Sequence, residues 1–472
     1  MSRHAWRPMA EMLLDTPQAA EIYRRHRHLP IVDYHTHLSP QRLAGDEPFR
    51  DLAEVWLDGD HYKWRAMRLA GVPERLCSGD ANPYERFEAW ARTLPHLAGT
   101  PMMAWCRLEL ARAFGIEEPL TLESAGRIWG QANERLREPG LRPRALLARD
   151  SVELLCTTDD PADDLAAHRS LASDPAARPR VLPTFRPDAL LAPAGSAAFR
   201  AWAERLGAAA DVATGTLTGL VAALHRRHDA FHDAGCRLSD HGIERCWAAP
   251  CGDAAAALLY DRLMSGAGEL AADALEAWRS WAMRLVARRD AERGWAMMLH
   301  LGARRDVSSR MHRQLGPDAG CDSVGDLAQV PALTAFLDGL DESGALPDTI
   351  IFNSSPRDTL AFATIAGCFP GEGGRGRVRH GPPWWFLDQP AGIEAYLDAL
   401  FAVAGAGAFV GMVSDSRSLL STARHDLFRR LACSRLARDV ESGLAPDDDG
   451  ALDAICRAMF YDNARSFFGW MP

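Results

Sequence analysis

Short apolar runs that end in polar residues recur eight times along the chain. The longer segments between them are mostly rich in Ala, Leu, Arg and Glu, as in 253–263 and 272–288, which favours helices. This alternation predicts an α/β fold, a (β/α)8 TIM-type barrel whose functional side chains lie at the carboxyl ends of the strands. The eight runs are 31–38, 152–160, 181–188, 236–241, 295–302, 349–354, 377–385 and 409–417.

Two helix-like segments interrupt the alternation, one at 39–150 after the first strand and one at 189–233 after the third. Long connections at the carboxyl ends of barrel strands surround the functional site, so we expect both segments to cap the barrel mouth. A length of 472 residues also fits two or three domains. The lack of an internal repeat or a low-complexity linker favours one elaborated barrel domain over 1–472.

Composition narrows the class of protein. Hydrophobic residues make up 47% and charged residues 25% of the chain, as in globular proteins with a large core. The net charge of -10 argues against nucleic acid as a partner, although a local arginine pocket can still bind an anionic small molecule. The sequence has no apolar stretch of membrane-spanning length and no signal-peptide core near Met1, so we expect no membrane partner and a cytoplasmic location. The ten cysteines contain no Cys-x-x-Cys pair, which indicates reduced, mostly buried thiols.

His35 and His37 lie at the end of the first predicted strand. Side chains two residues apart in a strand point to the same side, so this pair can share one divalent metal ion. His26 and His28 have the same spacing, but they lie in a basic, helix-like segment where such side chains point apart. The strand pair is therefore the candidate metal site.

Two other motifs resemble ligand sites without the expected surroundings. His225, His228 and His232 have helical metal spacing but lack the glutamate of H-E-x-x-H, which favours a solvated or partly packed helix face. The glycines of 371–376 match G-x-G-x-x-G, yet they precede a predicted strand instead of opening a helix. We therefore expect a loop there and no NAD. No P-loop lysine motif is present, so we also expect no ATP.

Polar residues at the strand ends and nearby predict one mononuclear metal site. Imidazole and carboxylate ligands fit Zn²⁺ best, with Mn²⁺ or Fe²⁺ as alternatives. Arginines beside the metal suit a carboxylated or phosphorylated small molecule, because a guanidinium binds such groups through two hydrogen bonds. The candidate ligands are His35, His37, His300 and Asp415, and the candidates for anion recognition and proton donation are Arg186, Arg417, His61 and Tyr62.

The sequence resembles a known family, the uronate isomerases. They are also called glucuronate isomerases and are a branch of the amidohydrolase superfamily. The resemblance extends over essentially the whole chain. Several of the matching strings are long, which makes them far more specific than a His-x-His pair. The strings are at 33–38, 59–68, 157–161, 183–188, 239–241, 384–386 and 413–418.

This resemblance implies an aldose–ketose isomerisation in bacterial hexuronate catabolism. D-glucuronate would be interconverted with D-fructuronate, and D-galacturonate with D-tagaturonate. A proton moves from C2 to C1 through an enediol, which requires a group that polarises oxygen, a base near C2 and a clamp for the C6 carboxylate. The resemblance also implies a small-molecule partner, and we expect a homo-oligomer.

The family pattern implies a role for each candidate residue. Asp415 would be a metal ligand, and we also predict it to be the base, because a carboxylate beside the metal is ionised and reaches the substrate. His300 would be a ligand or a hydrogen-bonding neighbour of the metal. Tyr62 would donate a proton or a hydrogen bond, and Trp385 would pack against the sugar. The predicted catalytic residues are Asp415, Tyr62, His61 and Arg417, the predicted substrate-binding residues are Arg186, Arg417, His61 and Trp385, and the predicted metal ligands are His35, His37, Asp415 and His300.

The chain departs from the family and superfamily patterns at two positions. Thr36 stands where the family often has Cys, but a strand residue between two ligands faces away from the metal. The run 236–241 contains Arg237 and no lysine, whereas many hydrolases of the superfamily bridge two metals with a lysine on the fourth strand. This difference favours a single metal ion.

Two other functions stay open on the sequence. A metal-dependent hydrolase of the same superfamily, acting on a carboxylated small molecule, would use the same His35, His37 and Asp415. Arg186, Arg417 and the string at 59–68 favour the isomerase. A non-catalytic protein that binds sugar acids would be expected to lack a ligand or Asp415, and none is missing.

Overall fold

The computed structural model describes residues 7–191, 196–266, 268–371 and 376–470. Residues 372–375 of the predicted glycine loop and residues 1–6 of the N-terminal segment lie outside these ranges. The described strands are β1 (Ile31–Asp33), β2 (Val152–Cys156), β3 (Arg180–Leu182), β4 (Leu238–Ile243), β5 (Ala296–Leu301), β6 (Ala303–Arg304), β7 (Ser323–Val324), β8 (Asp348–Asn353) and β9 (Val378–His380).

Parallel pairing dominates the strand arrangement. One sheet has the order β1-β2-β3 and the other the order β4-β5-β8-β9, with all neighbours parallel. An isolated parallel bridge between Phe185 and Ser239 joins the end of the third run to β4. β6 and β7 form a short antiparallel pair, which the sequence pattern did not predict. The predicted α/β fold with parallel strands is confirmed.

Seven of the eight predicted runs overlap one of these strands, and the run at 409–417 overlaps none within the described residues. Asp415 has a φ of 45°, in the left-handed region, which interrupts extended backbone there. The run nevertheless lies beside the first one. The amide of Asp415 donates to the His35 carbonyl at 3.1 Å, and the amide of His37 donates to the Ser416 carbonyl at 2.9 Å.

Helices occupy most of the remaining described chain, and the predicted helices at 253–263 and 272–288 are confirmed. The helices are α1 (Pro17–His26), α2 (Pro40–Gly45), α3 (Leu52–Trp56), α4 (His61–Leu69), α5 (Glu74–Cys77), α6 (Pro83–Thr93), α7 (Pro101–Phe114), α8 (Ala125–Arg135), α9 (Pro143–Arg149), α10 (Ala166–Ser173), α11 (Asp188–Leu191), α12 (Ser196–Ala210), α13 (Leu217–Asp233), α14 (Asp253–Ser265), α15 (Ala272–Arg293), α16 (Ser309–Leu315), α17 (Val330–Glu342), α18 (Thr359–Ala366), α19 (Pro390–Val403), α20 (Ala423–Glu441), α21 (Asp449–Arg457) and α22 (Asn463–Phe467).

The apolar core lies between these helices and the sheets. β5 is buried along its whole length, and large side chains such as Trp56, Trp90 and Trp278 are fully enclosed. The polar residues that precede helices α2, α3 and α4 cap them, because their side chains accept backbone hydrogen bonds that the first turn leaves unpaired. None of the described helices has the length and apolar character needed to cross a membrane.

Candidate active site

A cavity of about 390 Å³ opens at the carboxyl ends of the parallel strands. Every residue that the sequence analysis selected for the site lines it. The parallel arrangement brings seven of them together because the polar end of each run reaches the same edge of the strands, and the other two, His61 and Tyr62, come from α4. The nine residues are His35, His37, His61, Tyr62, Arg186, His300, Trp385, Asp415 and Arg417.

The two strand-end histidines converge on one carboxylate oxygen. Oδ1 of Asp415 lies 3.0 Å from Nε2 of His35 and 3.2 Å from Nε2 of His37. Thr36, between them, points away and donates its hydroxyl to the Cys156 carbonyl at 2.8 Å. The ring of His300 lies 4.4 Å from that of His35, so three imidazoles share one end of the cavity.

Asp240 on β4 joins this group, although it was not among the selected residues. One of its oxygens lies 2.7 Å from Nδ1 of His300, and the other accepts a hydrogen bond from Arg186 at 2.8 Å and lies 3.8 Å from Nδ1 of His35. A Cβ at Gly242 would lie 2.2 Å from the Arg186 guanidinium, so glycine at that position leaves the space that Arg186 occupies. The string 239–241 and strand alternation were the signals that could have identified Asp240.

The donor atoms fit a divalent metal ion. His35, His37 and Asp415 form one group whose potential ligand atoms lie within 4.8 Å of one another, and His35, Asp240 and His300 form a second. Nε2 of His300 is buried without a hydrogen-bond partner, while its Nδ1 contacts Asp240. A carboxylate on the far nitrogen is the usual partner of a metal-binding histidine. The residues present therefore match a site for borderline or hard cations.

Electrostatics keep both carboxylates ionised. Burial opposes ionisation of Asp415, but hydrogen bonds from His35 and His37 hold its pKa well below the usual range. Burial likewise opposes ionisation of Asp240, and the charges of Arg186 and His300 hold its pKa well below the usual range. Burial lowers the pKa of His37 to about 4, so its imidazole is neutral near pH 7 and free to bind a metal ion.

Arginines and aromatic rings form the opposite wall of the cavity. Arg417 lies 2.7 Å from Nδ1 of His61 and donates to Asp318 at 2.9 Å. The rings of His61 and Tyr62 stack with centroids 4.5 Å apart. Burial, and then the charge of Arg417, lower the pKa of His61 to about 4. Burial, together with the charge of Asp415, raises the pKa of Tyr62 well above its ordinary value, so its phenol stays a proton donor at neutral pH.

Arg305 also lines the cavity and was missed by the sequence analysis. Its guanidinium lies 5.5 Å from the centroid of the Trp385 ring and pairs with Asp322 at 2.8 Å. It belongs to the connection between β6 and β7, which carries no motif in the sequence. Only the folded chain brings this connection over the site.

Backbone strain accompanies two of the site residues. Asp415 has a φ of 45° and Trp385 a φ of 56°, and both face the cavity. A non-glycine residue in the left-handed region costs about 1–3 kcal/mol and persists where the surroundings fix it. These surroundings include the hydrogen bond from the Asp415 amide to the His35 carbonyl.

The other histidine motifs lie away from this cavity. Nδ1 of His26 contacts the Ile22 carbonyl at 2.8 Å, and His28 is exposed. His228 and His232 contact Asp290 and Trp295, respectively. Within the described ranges, neither motif forms a group with metal-binding geometry.

Comparisons with known proteins agree on one family. A family model described as glucuronate isomerase matches residues 8–468. A uronate isomerase of Solibacter usitatus is 43% identical over 460 residues, covering 97% of this chain and 98% of the relative. The crystal structure of a uronate isomerase from Thermotoga maritima has a TM-score of 0.92 at 31% identity, covering 98% of this chain and 100% of that one. That of a glucuronate isomerase from Caulobacter crescentus has a TM-score of 0.90 at 26% identity and covers 99% of both chains.

Proposed function

This chain belongs to the glucuronate isomerase family, and on that premise we propose that it interconverts D-glucuronate with D-fructuronate and D-galacturonate with D-tagaturonate. Its activity is an aldose–ketose isomerisation of a uronate. Membership of this family favours the isomerase over a metal-dependent hydrolase. The hydrolase alternative depended only on metal ligands that both kinds of enzyme share. The observation that carries the chemistry is that Asp415, ionised and within 3.2 Å of two histidines, faces the same cavity as Tyr62 and Arg417.

The proton transfer follows from the positions of these groups. Asp415 takes the proton from C2 while the electrons of that bond form the C1–C2 double bond, and Tyr62 donates a hydrogen bond to the oxygen that gains charge. The protonated carboxyl of Asp415 then returns a proton to C1. The proton of the C2 hydroxyl passes to the C1 oxygen, so that the C2 oxygen becomes the ketone and the C1 oxygen a hydroxyl.

Charge recognition is assigned to the arginines. Arg186 and Arg417 offer planar guanidinium groups to the carboxylate or the enediolate, and His61 orients Arg417 through their 2.7 Å contact. Trp385 supplies an apolar face for the carbon skeleton of the sugar. His35, His37, Asp415 and His300 would hold one divalent metal ion, which when bound supplies Lewis acidity toward a substrate oxygen. Zn²⁺ stays the prediction for its identity.

The architecture proposed for this chemistry is one (β/α)8 barrel of the amidohydrolase superfamily, capped by the segments 39–150 and 189–233. Its support is the bridge from Phe185 to Ser239, together with the hydrogen bonds that place the run 409–417 beside the first run. The cap is supported by His61 and Tyr62, which enter the cavity from α4. A homo-oligomer and a cytoplasmic location stay predictions from the sequence.

Proton NMR in D₂O tests the reaction directly. The pure protein, supplied with D-glucuronate or D-galacturonate and no NAD or ATP, should produce the ketose signals and reveal any exchange of the migrating hydrogen with solvent. D-glucose is the matched control, because it differs from glucuronate only in having a neutral hydroxymethyl group in place of the C6 carboxylate. Turnover of glucose at a rate comparable to that of glucuronate would contradict the arginine recognition.

A further inference from the structure

Arg424 is a buried arginine behind the cavity wall that the proposed reaction does not use. It is the second residue of α20, and 3% of it is exposed. Its guanidinium donates from Nη1 to the carbonyl of Ser414 at 2.7 Å. Ser414 immediately precedes Asp415, so this hydrogen bond holds the peptide group that carries the candidate base.

The amide of Ser414 is held as well. It donates to Oδ1 of Asp33 at 3.0 Å, and the other oxygen of Asp33 lies 3.3 Å from Nε2 of His425. Arg424 and Asp33 therefore hold the Ser414 backbone through its carbonyl and its amide, and His425 lies beside Asp33. This backbone leads into the left-handed conformation of Asp415, which needs such fixed partners.

The same guanidinium also lies over two aromatic rings. Its central carbon lies 4.2 Å from the centroid of Trp105 and 5.3 Å from that of Tyr62. An oxygen of Asp388, itself buried, lies 3.5 Å from Nη1 of Arg424. A guanidinium can use its edge for a carbonyl and its face for rings at the same time, whereas the compact ammonium of lysine cannot.

We propose that Arg424 is a positioning residue that fixes both candidate proton-transfer groups, Asp415 through the Ser414 peptide and Tyr62 through its ring face. The roles of Asp415 and Tyr62 rest on the proposed function. The contacts of Arg424 do not, and its effect on the metal site can be measured without turnover.

Arg430 provides a matched control on the same helix. It is also buried, with 4% exposed, and donates to the Met9 and Met12 carbonyls at 2.8 and 3.0 Å. Its guanidinium lies 4.5 Å from the centroid of Tyr23. It thus combines carbonyl and ring contacts as Arg424 does, but none of the residues it contacts here lines the cavity, whereas Arg424 contacts Tyr62, which does.

The experiment compares Arg424→Met, Arg424→Lys, Arg430→Met and Arg430→Lys with the unaltered protein. Isomerisation of D-glucuronate, titration of the metal-free protein with Zn²⁺, and thermal melting are measured for each. We expect Arg424→Met to lower kcat about 100-fold with KM changed less than about threefold, because misplacement of a reacting group by about 1 Å has that effect. Zn²⁺ affinity should fall by about tenfold as the Asp415 ligand loosens.

The variants of Arg430 should lower Tm while leaving kcat and Zn²⁺ affinity within about twofold. Arg424→Lys should restore part of the loss, since it keeps the charge and a donor for Ser414 without the ring contact. If Arg424→Met does not fold, a kcat loss in Arg424→Lys with a near-normal Tm supports the proposal. Normal kcat and Zn²⁺ affinity in a folded Arg424 variant would overturn it. Failure of the unaltered protein to isomerise uronates would overturn the proposed function instead, and the Zn²⁺ titration would still decide the role of Arg424.

Discussion

Two groups of side chains, each containing histidine and aspartate, lie on opposite faces of β4. One group lies at the cavity and the other is packed in the core. Asp240 points toward the cavity, while its neighbours Ser239 and His241 point into the core, as alternation along a strand requires. The cavity group comprises His35, His37, His300, Asp240 and Asp415, and the core group comprises His228, His241, Ser239 and Asp290.

The two groups differ in what surrounds their carboxylates. Asp240 pairs with Arg186 and His300, which hold its pKa well below the usual range against the effect of burial. Among the described residues, the carboxylate of Asp290 contacts the Ser239 hydroxyl at 2.5 Å and Nε2 of His228 at 2.9 Å, and burial raises its pKa to about 7. Asp240 is therefore charged at neutral pH, and Asp290 is about half protonated.

Access separates the groups further. His228, His241 and His300 each have a buried ring nitrogen without a hydrogen-bond partner, but only that of His300 lies beside the cavity of about 390 Å³. His228 stacks on Trp295 with centroids 3.6 Å apart, and its pKa is lowered to about 2 by burial and the charge of Arg289. Histidine and aspartate alone therefore do not define a metal site. A charged ligand, an unpaired nitrogen and open space must coincide.

The largest expected difference between the groups comes from their carboxylates. Asp415→Asn keeps the size of the side chain but removes the proposed base and weakens the metal site, so kcat for glucuronate should fall about 100-fold or more. Asp290→Asn, the matched change in the core group, should alter Tm and leave kcat within about twofold. Near-normal kcat in metal-loaded Asp415→Asn would transfer the base role to Tyr62 or His300.

A smaller effect is expected from Asp240, which orients residues of the site instead of meeting the substrate. Asp240→Asn leaves Arg186 and His300 without their ionised partner, and loss of such a partner typically costs 10- to 100-fold in metal affinity or activity, about 10-fold being expected here. Metal content after dialysis and kcat/KM measure both consequences. Full metal retention and unchanged kinetics would show that Asp240 resembles Asp290 in its role.

The sequence allowed the strand-end residues of this comparison to be predicted because alternation is a local rule. His35 and His37 followed from their spacing, and the family resemblance supplied the roles of Asp415 and Tyr62. Asp240 was missed although the same rule applied, because its own neighbours, Ser239 and His241, were equally polar.

Other parts could not be predicted because they depend on contacts between distant segments. Arg305 reaches Trp385 across 80 positions of the chain, in a connection without a motif. The run 409–417 was predicted to be a strand, and the left-handed backbone at Asp415 reflects partners at His35 that no local pattern encodes. The sequence thus predicts which segments form strands and helices, but it does not predict the contacts that hold the ends of the strand segments in place.

The protonation of Asp290 gives a pH-dependent test. Its folded pKa of about 7 exceeds the unfolded value of about 4, so between these pH values the folded protein holds a proton that the unfolded chain lacks. The contribution of Asp290 to the free energy of unfolding therefore decreases as the pH rises from about 4 to about 7, by up to about 1.4 kcal/mol per pH unit.

Asp290→Asn removes this contribution, so the Tm difference between variant and unaltered protein should move in favour of the variant from pH 5 to pH 7. Only the difference is informative, because buried histidines such as His37, with a pKa lowered to about 4, titrate in the opposite sense. Thermal melts at several pH values provide the measurement. If the Tm values of the two proteins changed with pH by the same amount, Asp290 would be ionised in the folded protein.

The smallest effect is expected at His225, the first histidine of the helical motif. It is partly exposed on α13, and burial, with the charge of Arg289, lowers its pKa. Because it belongs to neither group on β4, His225→Ala should leave metal content and kcat unchanged and shift the unfolding free energy by no more than about 0.5 kcal/mol. The double change of His35 and His37 to Ala is the contrasting variant, and it should remove the metal. If that double variant kept its metal and His225→Ala lost it, the metal would lie on α13, and the cavity group would not be the metal site.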